Sequence, residues 1–154
     1  MDQESIIRHV AETCPGVNVV TAGEEAPEIA RGDTFFIYDP ERNLPGKDQQ
    51  PFATIVNKDY GEFDNASNLD RPGVFRLNIG LEKESFRALF GTEPEAGYDY
   101  AALDRLMPHP VYASHCWVCI LNPSDATFEQ QLRPLIAAAY ERAAARHARR
   151  QSRH

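Results

Sequence analysis

Arg76 and Asn78 stand two residues apart in the run VFRLNIG, so on an extended strand both side chains leave the same face. Phe75, Leu77 and Ile79 leave the other face, which must be core. A merely solvated face would carry Lys, Glu and Thr. Arginine and asparagine instead offer planar, directional donors suited to a carboxylate or a phosphate. With Arg71 and Tyr112 they make a candidate binding set for an anionic small molecule or peptide acid. His109 precedes a proline, so its backbone is extended, and its imidazole is expected to titrate near neutrality beside them. The same residues could serve catalysis. Asp59 or Asp64 would be a general base, His109 an acid or base, and Arg76 a stabiliser of developing negative charge. A plainer alternative stays open, in which Arg76 pairs with Asp59 or Asp64 and pins the loop between two strands.

Other groupings carry less. Cys116 and Cys119 form a C-x-x-C pair, with His109 and His115 as the nearest further ligands. Residues three apart on a strand point to opposite faces, which suits neither a zinc site nor a redox pair. Asp59, Asp64, Asn65, Asn68 and Asp70 are oxygen donors fit for a hard cation. Counted from Asp64, however, the calcium-loop spacing fails: Ala66 holds the third position and no glycine the sixth. The loop is expected to use these side chains on its own backbone amides. No metal and no cofactor is therefore expected. Nucleophile elbow, phosphate-binding glycine loop and dinucleotide fingerprint are all missing from the sequence.

The elements that must position these residues can be read from periodicity. Asp2 caps a first helix with Ile6, Ile7, Val10 and Ala11 on one stripe, stopped by Pro15 and Gly16. Strands follow at Val17–Ala22, Thr34–Tyr38, Phe52–Asp59 and Val74–Gly80. The proline-rich stretch from Pro40 to Pro51 reads as a hairpin loop. Arg71-Pro72-Gly73-Val74 has the chemistry of a type II turn that launches the fourth strand. A helix over Glu82–Phe90 ends at Gly91, and Asp99 is expected to cap another over Tyr100–Met107. Cys116–Leu121 is a strand, with Trp117 as a core or pocket-wall residue. The last helix starts near Ser124–Thr127, with Thr127 and Gln130 in the form of a capping box, and Pro134 should kink it or mark its first turn. Strands arriving in a run with few crossover helices predict an α+β domain. It would have an antiparallel sheet of about five strands with helices packed on one side.

The chain has 154 residues, which suits one domain over residues 1–146 followed by a frayed basic tail over 147–154. Net charge is −7, yet five of the 16 basic residues and only one of the 23 acidic residues fall from Glu141 onward. The acidic body argues against nucleic acid as its main partner, and the basic tail offers an alternative contact with nucleic acid or protein. The sequence holds no membrane-spanning run and no signal-peptide pattern at MDQESIIRHV, and three cysteines make a poor disulfide framework. A cytoplasmic location is the expectation.

The runs PFATIVNKDYGEFDNASNLDRPGVFRLNIG, SFRALFG and MPHPVYASHCWVCILNP resemble an uncharacterised bacterial domain family common in actinomycetes. The resemblance extends from Met1 to Arg146. More remotely, the antiparallel sheet, the helix, the extended strand bearing Trp117 and the final helix are similar to the MmcQ/YjbR-like proteins. That resemblance implies a small α+β fold, and nucleic-acid binding has been suggested for some of those proteins. The longer stretches at Pro40–Pro51 and Asn57–Arg71, and the acidic charge, depart from that pattern, so it implies fold more than function.

Overall fold

The computed structural model describes residues 1–43, 50–92 and 97–152. Parts of two expected loops (44–49 and 93–96) and the last two tail residues lie outside the described residues. Asp2 caps α1 (Gln3–Thr13) by accepting from the Ser5 amide at 2.8 Å, and Ile6 and Val10 on its inner stripe are fully buried. β1 (Val17–Thr21), β2 (Thr34–Tyr38), β3 (Pro51–Val56) and β4 (Arg76–Gly80) then form an antiparallel meander. α2 (Lys83–Phe90), β5 (Met107–Pro108) and β6 (Trp117–Leu121) follow. The sheet has six strands in the order β1-β2-β3-β4-β6-β5, every neighbour antiparallel. The protein is an α+β fold, as its strand-rich order predicts.

Alternation divides the sheet as expected. Phe36, Ala53, Ile55, Leu77, Ile79, Val118 and Ile120 form the core face. Against it pack α1, Phe86 of α2, and the C-terminal helical run through Phe128, Leu132, Ile136 and Ala139. The opposite face holds Thr54 beside Asn78 and Val56 beside Arg76. Part of that face is apolar too: Val56, Leu69, Met107, Cys119 and Leu121 form a second, smaller cluster. Leu69 reaches it from the loop between β3 and β4.

Three local expectations are corrected. Residues 100–107 are not a helix. Asp99 accepts from the Ala101 amide, but the chain then turns, Leu103 bridges to Leu121, and the Asp104 amide donates to Leu121 O at 2.7 Å. The open edge of β6 needed a partner. Met107, fully buried opposite Cys119, supplies it as β5. Cys116 lies outside the strand as well, in the left-handed region (φ 67°) at the end of a single helical turn, Ala113–His115. Finally, Ser124 and not Thr127 caps the last helical run, accepting from the Thr127 amide at 3.1 Å.

That run opens with one turn, α3 (Asp125–Thr127), widens into a π-helical turn (Phe128–Leu132), and continues as α4 (Arg133–Ser152). Pro134 falls in the first turn of α4, where its missing N–H follows the π turn. α4 passes the end of the sheet at which β2 stops and β3 starts. Tyr140 there packs edge-on to Tyr38 and Phe52, with ring centroids 5.7 and 6.0 Å apart. Residues 147–152 of the basic tail are helical, and His147 lies edge-on to Tyr38 at 5.3 Å.

Leu77 is fully buried at the centre of β4, between β3 and β6. Leu77→Ala should lower the unfolding free energy by about 2–5 kcal/mol, read from the midpoint of chemical denaturation at unchanged m-value.

Candidate functional site

The second face of the sheet opens into a groove of about 720 Å³. Its floor is set by β4. Arg76 is 1% exposed and fans its guanidinium across protein groups from three segments. Nε donates to Asn78 Oδ1 at 2.8 Å, and Nη1 donates to Asp64 Oδ1 at 3.0 Å and Ser67 Oγ at 2.9 Å. Nη2 donates to Asp64 Oδ2 at 2.6 Å and faces His109 Nε2 at 3.2 Å. A guanidinium has five N–H donors: four meet oxygen acceptors, and the fifth faces the His109 ring at Nε2. With four donors on protein oxygens, Arg76 is engaged chiefly with the protein itself. The plainer reading of Arg76, a buried pair with Asp64 that pins the loop, describes its geometry.

His109 sits in a setting hostile to a second ring proton. Nδ1 faces the amides of Val111 and Tyr112, each at 3.0 Å, while Arg76 faces Nε2. Burial, and then the charge of Arg76, push its pKa down to about 3, against the opposing pull of Asp64. The imidazole is neutral across the physiological range rather than titrating near neutrality. Burial alone would raise the Asp64 carboxyl, but the hydrogen bonds and charge of Arg76 outweigh it and hold the pKa below the usual carboxylate range.

The remaining candidates separate. Asn78 donates from Nδ2 to Thr54 Oγ1 at 3.0 Å and lies in the groove floor. Tyr112 stands at the rim, 41% exposed, with its ring 5.1 Å from His109 and 6.1 Å from Phe63. Arg71 is elsewhere: its guanidinium donates to the carbonyls of Asn68, Ser67 and Ala101 and stitches the loop. Asp59 serves the same loop, accepting from the Leu69 amide at 2.8 Å. The turn that launches β4 has the expected form, with Gly73 at φ +73° and the Val74 amide on Arg71 O. Cys119 is buried in the small cluster, which raises its thiol to about 12, and Cys116 packs against the main core.

Two features of the groove went unread in the sequence. The first is the aromatic wall of Phe35, Tyr38, Phe52 and Tyr60, with Tyr60 held by a hydrogen bond from its hydroxyl to buried Asp33. The second is a basic wall from α4, formed by Arg142, Arg146, His147 and Arg150. Their spacing was the available signal: 142, 146 and 150 recur every four residues, one stripe of a helix. Arg142 is anchored by a bond from Nη1 to Leu81 O at 3.0 Å. Some burial, and then the charges of Arg142, Arg150 and Arg149, lower the Arg146 pKa, with Glu82 opposing them. Cations are thus gathered close enough to repel one another.

Fold and groove define an α+β domain with a concave site, aromatic on one wall and basic on another. The chain belongs to a family of unknown function (DUF6194), whose model matches residues 1–152. No curated protein and no solved structure matches it. No helix among the described residues is long and apolar enough to cross a membrane.

Two outcomes test this network. Asp64→Asn leaves a buried, unpaired guanidinium and should cost about 3–5 kcal/mol in denaturant unfolding, whereas Arg76→Met with Asp64→Leu should cost much less. His109 stays unprotonated in the fold while the unfolded chain protonates it near 6.5. The unfolded state thus binds more protons between about pH 6.5 and 3. Its contribution is present above pH 6.5 and is lost as pH falls, at up to about 1.4 kcal/mol per pH unit. Unfolding series across this range should show a shallower slope for His109→Gln.

Proposed function

We propose that this protein is a binding module for an anionic small molecule with a planar, apolar body. Its charge would rest on Arg142 and Arg146 of α4, and its body would lie toward Tyr112 and Trp117. Asn78 and Thr54 would give polar contacts on the floor, over the scaffold of Arg76, Asp64 and His109. One observation carries this reading. In a chain of net charge −7, the described groove lining brings in Arg142 and Arg146, while the carboxylate among its described residues, Asp64, is paired with Arg76. Cations in a concave, low-dielectric site focus the field toward an anion. The volume falls within the ordinary range of small-molecule sites.

The catalytic reading of Asp64 and His109 draws less support. Both lie within hydrogen-bond distance of Arg76 Nη2, so they do converge. A neutral imidazole whose free lone pair at Nδ1 is taken by two backbone amides is a poor proton carrier, however, and a carboxylate stabilised by a guanidinium is a weak base. Contact with nucleic acid through the basic tail draws on the same arginines. Their place in a concave wall favours a small ligand. Free Cys14, Cys116 and Cys119 are in keeping with a reducing, cytoplasmic setting.

The dye 8-anilinonaphthalene-1-sulfonate pairs a sulfonate with a flat two-ring aromatic system and serves as a probe. It should bind saturably to the native protein, and more weakly as salt is raised. Arg146→Glu should weaken binding about tenfold, an effect of about 1.4 kcal/mol. Arg8→Glu on α1 should leave it unchanged. Equal effects from the two variants, with melting temperatures unaltered, would show that the groove arginines do not hold the anion.

A further inference from the structure

Trp117 lies on Gly80, its partner across the β4–β6 pair. A Cβ built at Gly80 would come within 3.0 Å of both Cε2 and Cζ2 of the indole and 3.4 Å of Nε1. The bare backbone of Gly80 is thus what lets the bicyclic ring settle onto the strand. Gly80 and Trp117 both line the groove, and Trp117 is only half-buried. One residue after Gly80, the carbonyl of Leu81 holds the Arg142 guanidinium. The aromatic platform and an anchored cation are therefore neighbours through two contacts on the same short piece of chain. Arg146 and Arg150 continue the cationic stripe away from that point, each a further turn along α4. At about 1.5 Å per residue, this stripe runs for about 12 Å.

On the anion-binding reading above, this juxtaposition specifies the ligand further. We infer that the groove takes a purine nucleoside monophosphate. The base would lie on Trp117 with Tyr112 at the mouth, and the phosphate on Arg142 and Arg146. A two-ring platform matches a bicyclic base. Stacking of a base on an aromatic side chain contributes about 1–3 kcal/mol. A phosphate monoester carries a charge of about −1.5 to −2 near neutrality, which suits successive arginines better than a monocarboxylate does, and guanidinium forks bind phosphate bidentately. Thr54, Asn78 and Gln50 in the lining offer side chains able to donate and accept at a base edge.

Isothermal titration calorimetry on the full chain separates the parts. Adenosine monophosphate and guanosine monophosphate should bind, with adenosine and ribose 5-phosphate each weaker by about tenfold or more. Arg142→Ala with Arg146→Ala should bring the nucleotide down to the level of adenosine. Trp117→Leu should weaken the nucleotide about tenfold and leave ribose 5-phosphate unchanged, a split that general loss of folding would not produce. Uridine monophosphate binding as tightly as the purines would overturn the role of the bicyclic base. If 4-hydroxybenzoate binds more tightly than the nucleotides, the ligand class is wrong while the anion site stands. If neither nucleotides nor 4-hydroxybenzoate bind and the dye is also refused, both readings fall together.

Discussion

A guanidinium buried to 1% exposure sets the terms for this molecule. Removing an arginine from water is costly, and the cost is offset only when the charge is neutralised and every donor is met. The chain neutralises the charge and meets four of the five donors with oxygens from separate segments. Asp64 and Ser67 come from the β3–β4 loop, Asn78 from β4 itself, and His109 from the stretch before β6. Each is therefore held where Arg76 needs it. The loop is closed further by Arg71 and Asp59, and it seats Leu69 in the small apolar cluster. A polar network and an apolar patch thus share one sheet face, and the network fixes the loop that completes the patch.

This arrangement also decides what the groove floor can offer. With Arg76 and Asp64 neutralising each other and His109 kept unprotonated, the floor is polar but carries no net charge. Among the described residues, the net positive charge of the groove comes from α4, an element whose first half belongs to the main core. Ala139 illustrates the overlap: it is buried in the core cluster and also lines the groove. The groove is therefore built between a hydrogen-bonded floor and a helix that packs into the core.

Much of the fold was legible because it rests on local rules. Alternation in β4 separates core from groove, Pro72-Gly73 specifies its turn, and Asp2 caps α1. Residues 100–107 misled because a good cap and a mild helical pattern were overridden by the unpaired edge of β6, which no local window contains. For the site, side-chain type and spacing placed Arg76 and Asn78 on the right face. Their role depends on how many donors are already met, and that is settled by Ser67, Asp64 and His109, from segments 9, 12 and 33 residues away. The stripe at 142, 146 and 150 was visible as a pattern. That it faces a groove follows only from where α4 crosses the sheet.

The π-helical turn at Phe128–Leu132 bears on that stripe in another way. Such a turn takes up one residue more than an α-helical path would. One residue is about 100° of rotation about a helix axis. Everything after Leu132 is thus phased differently from what a regular helix starting at Ser124 would give. The bulge acts as an angular offset between two halves of one rod. Phe128 and Leu132 address the core before the offset, and after it α4 turns Ile136 and Ala139 to the core and Arg142 and Arg146 to the groove. Within this family, a one-residue deletion at that turn would conserve every arginine in an alignment and still point the stripe somewhere else.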